Sequence, residues 1–572
     1  MALQAYPDVP LFRYPYTDLS LAQIEAALNA PARVGPGSKG PLDTNLAGKV
    51  LSFTGDGGNK LAWTFGAGNR VTFAGKEGGY GALDLGPLTL IAHIVPGTAT
   101  AYAIAWDRET DAATVFELWF GGGPAPRARE LNREVYFGTM AGAGGPPKER
   151  HKRTLRVEGR GFMWQEDTGN RTVEYYPSST YSHWVELDRL KDFRGYSAPT
   201  DYVQLTEAIY AVARIEAEFS GLLHLYLTDV NRLQQAGLRF GFNGADALEF
   251  YMFRGTGEWL GQIARFEKLG DFSADPLPIP NAKKGERRVY RPLATMDKMT
   301  RAEVDALIAS GNVHVFDKPS PMAGNGTAPS GALAGKAFAI EYDGGPKMEY
   351  RFTGPETLEW RKDGQGSFRQ ARYNAWEMMP GAFIFGHLLE GQPNHDGHIV
   401  VADLTTGLAT NYHGYLNTPY FANEAGCETL FGKIGGAGIP NPGGKRHERT
   451  RDMLGRAFTW EYSPGLNSMH LYSTPYTTSW IIPTADGHFA TEWCGSGDFV
   501  KIRDQLYFGR WQEEACNGTL GTVLTNMRTM HDAGIGYNCG KRGGLSMSAV
   551  GAPSRHAGKF DVERFFPVRK GR

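Results

Sequence analysis

Hydrophobic and polar residues alternate along most of the chain, in short runs separated by glycine-rich turns. The segment AFAIEYDGGPKMEYRF, which begins at Ala337, alternates with a period of two on both sides of Asp343-Gly344-Gly345. That period is typical of strands, and Asp-Gly between two such runs is a strong hairpin signal. Similar strand-turn-strand patterns recur to the C-terminus, so we predict an antiparallel β protein.

Two short segments follow a helical period instead. SLAQIEAAL begins at Ser20, and TRAEVDALI begins at Thr300. Each places Ser or Thr three residues before Gln or Glu, a spacing at which the two side chains satisfy amide groups at a helix start. We therefore predict one short helix at each place.

The two predicted helices open two copies of one sequence. LAGKVLSFTGDGGNKLAWTF begins at Leu46, and LAGKAFAIEYDGGPKMEYRF begins 287 positions later at Leu333. Further on, the segment from Gly159 aligns without a gap on the segment from Gly455. Because a repeat this long reflects a repeated structure, we divide the chain into halves at about residues 1–284 and 285–572.

Each half contains two related β units, for which an up-and-down barrel is the natural closure. A closed barrel has no exposed strand edge and leaves an interior that can hold a ligand. The prediction is an all-β fold of four calycin-like or lipocalin-like antiparallel barrels, arranged as two duplicated two-barrel halves. The expected boundaries are 1–146 for the first helix and barrel 1, 147–284 for barrel 2, 285–444 for the second helix and barrel 3, and 445–572 for barrel 4.

Composition narrows the function classes. The formal net charge is −1 over 572 residues, with acidic and basic residues mixed, so neither nucleic acid nor an anionic membrane is an expected partner. No apolar run reaches membrane-spanning length, and the first residues do not resemble a secretory signal. The four cysteines form no CxxC pair, which is typical of a reduced compartment. We expect a cytoplasmic protein. No dinucleotide, Walker or GxSxG motif is present, so we predict neither a nucleotide cofactor nor serine hydrolase chemistry.

The repeated motifs resemble two related families. An N-type unit with LAGKxFxxxYDGGxxxEYRF, followed by a C-type unit with GRAFTWEY and DQLYFGRWQE, resembles molybdenum-cofactor biosynthesis protein F (MoaF), here present twice. The segments AFAIEYDGGPKMEY, TLEWR and LTEAIY resemble phenolic acid decarboxylase. The second resemblance implies a cofactor-free lyase in which tyrosines and an arginine hold the substrate carboxylate and a glutamate handles the phenol.

Carried over by that resemblance, Tyr342 is the strand tyrosine, Arg361 the carboxylate arginine and Glu207 the acid. The sequence departs from the pattern in two ways. Ile340 stands where the third unit needs its first tyrosine, and the fourth unit has Asp504 in place of Glu207. No single unit therefore holds the whole set.

Other candidates follow from the predicted strands. His387, with its counterpart His93, is either a general acid or base or a hydrogen-bonded core residue. Arg372 beside Tyr373 either binds a carboxylate inside a barrel or points into solvent. Asp504 and Glu207 either act inside an aromatic cup or cap a turn. The remaining histidines show no zinc spacing, so no metal is predicted.

The fourth unit is rich in aromatic residues that could stack a planar ligand, among them Trp460, Tyr462, Tyr507 and Trp511. The leading expectation is a cofactor-independent lyase that decarboxylates a phenolic, phenylpropanoid or lignin-derived acid through a quinone methide. Three alternatives stay open: an isomerase or retro-aldol lyase on a phenolic substrate, an aromatic small-molecule binding protein, and a molybdenum-cofactor accessory protein. A homodimer is also left open.

Overall fold

The structure is a computed structural model of the 572-residue chain. It describes residues 19–29, 35–36, 46–121, 128–129, 131–140, 150–178, 180–188, 195–216, 221–243, 245–264, 298–419, 421–483, 490–513 and 518–566. The chain divides into two compact units, residues 12–292 and residues 293–485 with 493–572, here called the N-terminal and C-terminal units.

The N-terminal unit opens with helix α1 (Leu21–Asn29) and the two-residue strand β1 (Gly35–Pro36). As predicted, Ser20 and Gln23 cap the helix: Ser20 N donates to Gln23 Oε1 at 2.9 Å, and Gln23 N donates to Ser20 Oγ at 3.3 Å. Eight antiparallel strands then close into barrel 1. They are β2 (Val50–Gly55), β3 (Lys60–Gly66), β4 (Arg70–Phe73), β5 (Lys76–Leu85), β6 (Leu88–Val95), β7 (Thr100–Asp107), β8 (Ala112–Phe120) and β9 (Leu131–Met140).

Barrel 2 is also a closed ring of eight antiparallel strands, with the short β10 (Lys152–Arg153) paired outside the ring. The long last strand closes the ring, because it pairs with both the first and the seventh strand. The eight are β11 (Arg160–Glu166), β12 (Arg171–Tyr176), β13 (Tyr181–Glu186), β14 (Gly195–Gln204), β15 (Ile209–Ile215), β16 (Leu222–Asp229), β17 (Gln234–Phe242) and β18 (Leu248–Gln262).

The C-terminal unit opens with helix α2 (Arg301–Ala309), capped by Thr300 and Glu303, strand β19 (Val313–Val315) and a 3₁₀ turn (Pro321–Ala323). Nine strands then form barrel 3, which is nearly closed because its fourth and fifth strands do not pair. They are β20 (Ala337–Tyr342), β21 (Lys347–Phe352), β22 (Thr357–Lys362), β23 (Arg369–Arg372), β24 (Asn374–Met379), β25 (Ala382–Leu388), β26 (Gly397–Asp403), β27 (Leu408–Tyr415) and β28 (Gly426–Gly435).

Barrel 4 repeats barrel 2 with one break. The strand equivalent to β18 is split in two, and Pro553 at the split has no amide to donate to a ladder. The strands are β29 (Glu448–Arg449), which pairs outside the ring, β30 (Arg456–Ser463), β31 (Leu466–Thr474), β32 (Thr477–Pro483), β33 (Ala490–Arg503), β34 (Leu506–Gln512), β35 (Leu520–Asn526), β36 (His531–Gly540), β37 (Gly544–Val550) and β38 (Ser554–Lys559). A 3₁₀ turn follows at Glu563–Phe565.

Within each unit, the two barrels share an apolar core formed by their outer faces. The same buried contact crosses both seams: Thr114 Oγ1 lies 2.9 Å from His151 Nδ1, and Thr410 Oγ1 lies 2.9 Å from His447 Nδ1. The predicted four-barrel fold in two duplicated halves is therefore confirmed, with two rings closed and two interrupted.

Candidate functional site

The interior of barrel 3 contains two of the predicted residues. Tyr342 on β20 and His387 on β25 are both buried. Burial lowers the pKa of His387 to about 4, although the Leu388 carbonyl, 3.1 Å from Nδ1, works in the opposite direction. The imidazole is therefore neutral at pH 7, as expected for a core histidine.

His387 is the deepest member of a row of histidines on neighbouring strands. It lies directly opposite His398 on β26, which lies opposite His413 on β27. The ring centroids are 5.8 Å and 5.2 Å apart, and the Tyr350 hydroxyl lies 3.1 Å from His398 Nδ1. Among the residues that the structure describes, no group of three or more His, Cys, Asp or Glu side chains is arranged to hold a metal ion.

The two arginines predicted for the interior of barrel 3 lie on its outside. Leu358 and Trp360 on β22 are buried in the barrel, so Arg361 points outward and bonds Glu349 Oε2 at 2.5 Å. Arg372 is exposed and bonds Glu356 Oε2 at 3.1 Å. The large apolar side chains set the strand phase, which turns both guanidinium groups away from Tyr342 and His387.

Tyr373, between β23 and β24, is buried beside the gap in the ring. Its hydroxyl donates to the Gly354 carbonyl at 3.0 Å, and burial raises its pKa to about 12. Its ring packs against Phe352 and Phe385. Tyr373 therefore fills the interior wall where two strands do not pair.

The two predicted carboxyl groups lie in exposed hairpin turns, not in aromatic cups. Glu207 connects β14 to β15, and its carbonyl accepts a hydrogen bond from the Tyr210 hydroxyl at 3.0 Å. Asp504 connects β33 to β34, with 71% of its side chain exposed and Arg528 Nη2 at 3.6 Å. Glu207 and Asp504 each lie a few residues before a strand, and both side chains face solvent. Of the two interpretations given for them, the one as turn residues is correct.

The predicted aromatic residues of barrel 4 do face its interior. Trp460, Tyr462, Tyr507 and Trp511 are all buried in one cluster. The Tyr507 hydroxyl donates to Asp452 Oδ2 at 2.9 Å, and burial, with Asp452, raises the pKa of Tyr507 to about 12. These side chains form an aromatic lining. Polar side chains also face this interior, and the sequence did not reveal them.

One such group is Asp532, on β36. It is buried, and burial raises the pKa of its carboxyl to about 8. Oδ1 accepts the Ala552 amide at 2.7 Å, across the break between β37 and β38. Among the residues that the structure describes, none is hydrogen-bonded to Oδ2. Asp532, and not Asp504, thus brings a carboxyl group into the fourth barrel.

The densest group of buried polar side chains lies inside barrel 2. Glu174 Oε1 accepts from Arg214 Nη1 at 2.9 Å, and Glu174 Oε2 accepts from the hydroxyls of Tyr176, at 3.1 Å, and Tyr226. The two hydroxyls are 2.9 Å apart. Arg214 lies over the Trp184 ring, 4.2 Å from its centroid. One guanidinium, one carboxylate and two phenols therefore meet at one point, here called the Glu174 cluster.

A second carboxylate lies beyond the Glu174 cluster. Arg214 Nη2 is 2.7 Å from His224 Nδ1, and His224 Nε2 is 3.5 Å from Glu166 Oε1. The imidazole therefore lies between the arginine and Glu166. Glu174, Arg214, His224 and Glu166 are all buried in the barrel.

The electrostatics of the Glu174 cluster follow from burial and from nearby negative charge. Burial lowers the pKa of Arg214, but the combined attraction of Glu174, Tyr226 and Glu216 outweighs that effect, so the net shift is upward. Burial, and then the charge of Glu174, raise the pKa of both Tyr176 and Tyr226. The tyrosines thus stay protonated donors and the arginine stays charged.

Sequence reasoning missed this cluster, although a signal was present. In TVEYY, VARIE and LHLYLTD, the residues of one strand phase include Glu174, Arg214, His224 and Tyr226. Charged residues at inward positions of a strand are costly to bury unless paired, so their recurrence on neighbouring strands indicates a polar interior.

In the comparisons with known proteins, one family matches part of the chain. Residues 322–418, which include most of barrel 3, match the MoaF N-terminal domain. No curated protein matches the chain. A solved structure, Oligopeptidase B from Leishmania major, is 8% identical to this chain, with a TM-score of 0.09, too low to indicate a shared fold. The match covers 76% of this chain and 53% of that chain, so it spans about half the length of the oligopeptidase.

None of the described helices has the length and apolar character to cross a membrane. The MoaF-type match lies in the C-terminal copy, whose helix, hairpins and seam contact repeat those of the N-terminal copy. The predicted resemblance to MoaF is therefore confirmed: the chain is a duplicated two-barrel protein with a MoaF-like N-terminal domain in its second half.

Proposed function

We propose that barrel 2 is the site of a cofactor-independent lyase that removes the carboxyl group of a phenolic acid. The observation that supports this is the Glu174 cluster, in which Arg214 and two tyrosine hydroxyls converge on one carboxylate. A planar guanidinium is suited to bind a carboxylate through two hydrogen bonds. Buried acids and bases arranged around it are a feature of catalytic sites.

In this proposal the substrate carboxylate takes the place of Glu174 on Arg214. Glu174 then loses its cationic partner, so its affinity for a proton rises and it becomes an acid. Tyr176 and Tyr226 donate to the substrate carboxylate. Glu166, next to His224, accepts the proton of the substrate phenol.

The atoms balance without an oxidant or a cofactor. The phenol proton moves to Glu166, and the Glu174 proton moves to the alkene carbon beside the carboxylate, which gives a quinone methide. The carbon–carboxylate bond then breaks and carbon dioxide leaves. The bonding pair becomes the vinyl double bond, and the exocyclic double bond of the quinone methide returns its pair to the ring, which gives the phenolate. Glu166 returns its proton to the phenolate, and Glu174 takes a new one from water, so each turnover consumes one proton.

The test is loss of the ultraviolet band of 4-hydroxycinnamate on incubation with the purified protein. 4-Methoxycinnamate is the matched substrate control, because it has no phenol proton to give. Glu174→Gln and Tyr226→Phe should each lower turnover by about 100-fold or more, the usual contribution of a general acid. Glu207→Gln, in an exposed turn, is the matched control and should keep full turnover. Full activity in Tyr226→Phe and Glu174→Gln, or no turnover of any phenolic acid, would contradict the proposal.

A second candidate is an aromatic-acid binding protein without turnover, or an accessory protein of molybdenum-cofactor metabolism. The observation that favours it is that Glu174 already neutralises Arg214, as in a structural ion pair. A change in tryptophan fluorescence on addition of 4-hydroxycinnamate, lost in Trp184→Phe and without product, would select binding over catalysis.

A further inference from the structure

A cavity of about 290 Å³ lies in the C-terminal unit. Helix α2 and strands β19, β23, β25 and β37 contribute its walls. Its apolar lining residues are all aliphatic, and its lining also includes Arg372, Glu390, His395 and Asp396. The apolar side chains that the argument uses are Ile308, Val313, Val315, Leu388 and Leu545.

The two helices of the duplicated halves bury matched apolar side chains to different extents. In α1, Ile24 and Leu28 are both 0% exposed. In α2, Val304 at the place of Ile24 is also 0% exposed, but Ile308 at the place of Leu28 is only half-buried. Strand β19, which pairs in parallel with β37, follows directly after α2. The C-terminal end of α2 therefore presents an apolar side chain to an unfilled space.

Two of the polar side chains that line the cavity already have side-chain partners. Asp396 lies 3.5 Å from His413, and His395 lies 2.8 Å from Asp305. Glu390 is exposed, where solvent screens its charge. Arg372 gives Nη2 to Glu356, and a guanidinium with five donor hydrogens has others to offer. Arg372 is thus the group of this rim suited to bind an anion.

We propose that this cavity binds a medium-chain aliphatic carboxylate, with its chain among the aliphatic side chains and its carboxylate on Arg372. The volume is close to the lower end of about 300–1,000 Å³ for small-molecule pockets, which suits a chain of about eight carbons. The aliphatic walls offer a flexible chain close contacts and offer a planar ring no stacking partner. This site is independent of the proposed chemistry in barrel 2.

The test is calorimetric titration of the full chain with octanoate and with octan-1-ol, in the wild type and three variants. Ile308→Phe fills the cavity and should abolish binding of both probes. Arg372→Gln should weaken octanoate about tenfold and leave octan-1-ol within about threefold, because a charged hydrogen bond is lost. Arg351→Gln is the matched control, since that guanidinium stacks on Phe368 away from the cavity. It should bind octanoate as the wild type does.

Absence of octanoate binding in the wild type would overturn the proposal, as would binding that survives in both Ile308→Phe and Arg372→Gln. Equal weakening in Arg372→Gln and Arg351→Gln would show a general charge effect and overturn the assignment to Arg372. If Ile308→Phe does not fold, the ratio of octanoate to octan-1-ol affinity in Arg372→Gln decides alone. A ratio unchanged from the wild type would then reject the proposal.

Discussion

The strand pair that holds Glu174 opposite Trp184 in barrel 2 holds His470 opposite Trp480 in barrel 4. Three strand pairs further, on β15 and β16, barrel 2 places Arg214 opposite His224, while β34 and β35 of barrel 4 place Trp511 opposite Gly521. These matched positions show that duplication kept the strand register and changed the side chains. Barrel 2 acquired or kept an ionic interior, and barrel 4 an aromatic one.

The exchange conserves volume as well as register. A Cβ atom on Gly521 would lie 2.3 Å from the Trp511 ring, so the indole fills the space that His224 takes in barrel 2. Tryptophan opposite glycine in barrel 4 thus replaces arginine opposite histidine in barrel 2. Such paired changes are tolerated because packing density is preserved. The barrel frame therefore limits the volume of its interior side chains more strictly than their polarity.

The largest effect is expected from breaking the ion pair of barrel 2. Arg214→Met leaves Glu174 buried without its counter-charge and should lower the free energy of unfolding by about 3–5 kcal/mol. Adding Glu174→Gln should recover much of the loss, because both partners are then neutral. Hydrogen exchange of the β15 and β16 amides would measure both. A loss below about 1 kcal/mol would mean that the cluster is solvated.

The next effect concerns the buried Asp532 of barrel 4, whose counterpart in barrel 2 is the neutral Gln235. Burial raises the pKa of Asp532 to about 8 in the folded chain, from an ordinary value of about 3.8 in the unfolded chain. Between these values the unfolded chain loses its proton and the folded chain keeps it, so stability falls as pH rises, by about 1.4 kcal/mol per pH unit.

Asp532→Asn keeps the oxygen that accepts the Ala552 amide and removes the charge. It should therefore gain on the order of 2–3 kcal/mol at pH 6 and flatten the dependence of stability on pH between about 4 and 8. Urea unfolding across this range checks the slope. A variant as pH-dependent as the wild type would show that Asp532 is ionised in the folded barrel.

These interiors mark the limit of what the sequence could predict. Alternation, the Asp343-Gly344 turn and the capped helices follow from local chemistry, and the duplication gave the number of barrels. Local patterns do not fix which strand phase faces inward where both faces of a strand are buried, as in β12 to β17. The sequence of β15 therefore does not show that Arg214 faces inward, whereas the alternation of Leu358 and Trp360 on β22 places Arg361 outside.

Short motifs carried even less information about the site. The motif LTEAIY lies at a turn in barrel 2, so its Glu207 faces solvent. The buried carboxylate is that of Glu174 on β12, which belongs to no such motif. Asp532 lies on β36, at a position that resembles no motif. Both buried acids are defined by neighbours far away along the chain, which a single sequence does not reveal.

A smaller effect tests whether the two seams are equivalent. Thr114→Val and Thr410→Val remove only the hydroxyl that meets His151 or His447. Each should cost about 1–2 kcal/mol, because a buried imidazole nitrogen loses its partner. Thermal unfolding of both variants gives the comparison. Costs that differ by more than about 1 kcal/mol would show that one seam has been reinforced since duplication.

The smallest effect is expected at the paired turns, where the two copies differ by one methylene. Glu207→Gln and Asp504→Asn each neutralise an exposed carboxylate, and surface ion pairs such as Asp504 with Arg528 contribute about 0–1 kcal/mol. Both variants should therefore unfold within about 0.5 kcal/mol of the wild type. Any turnover of 4-hydroxycinnamate should be unchanged, because neither side chain reaches a barrel interior. A loss of turnover in either variant, with unchanged stability, would move the chemistry from the barrel interiors to these turns.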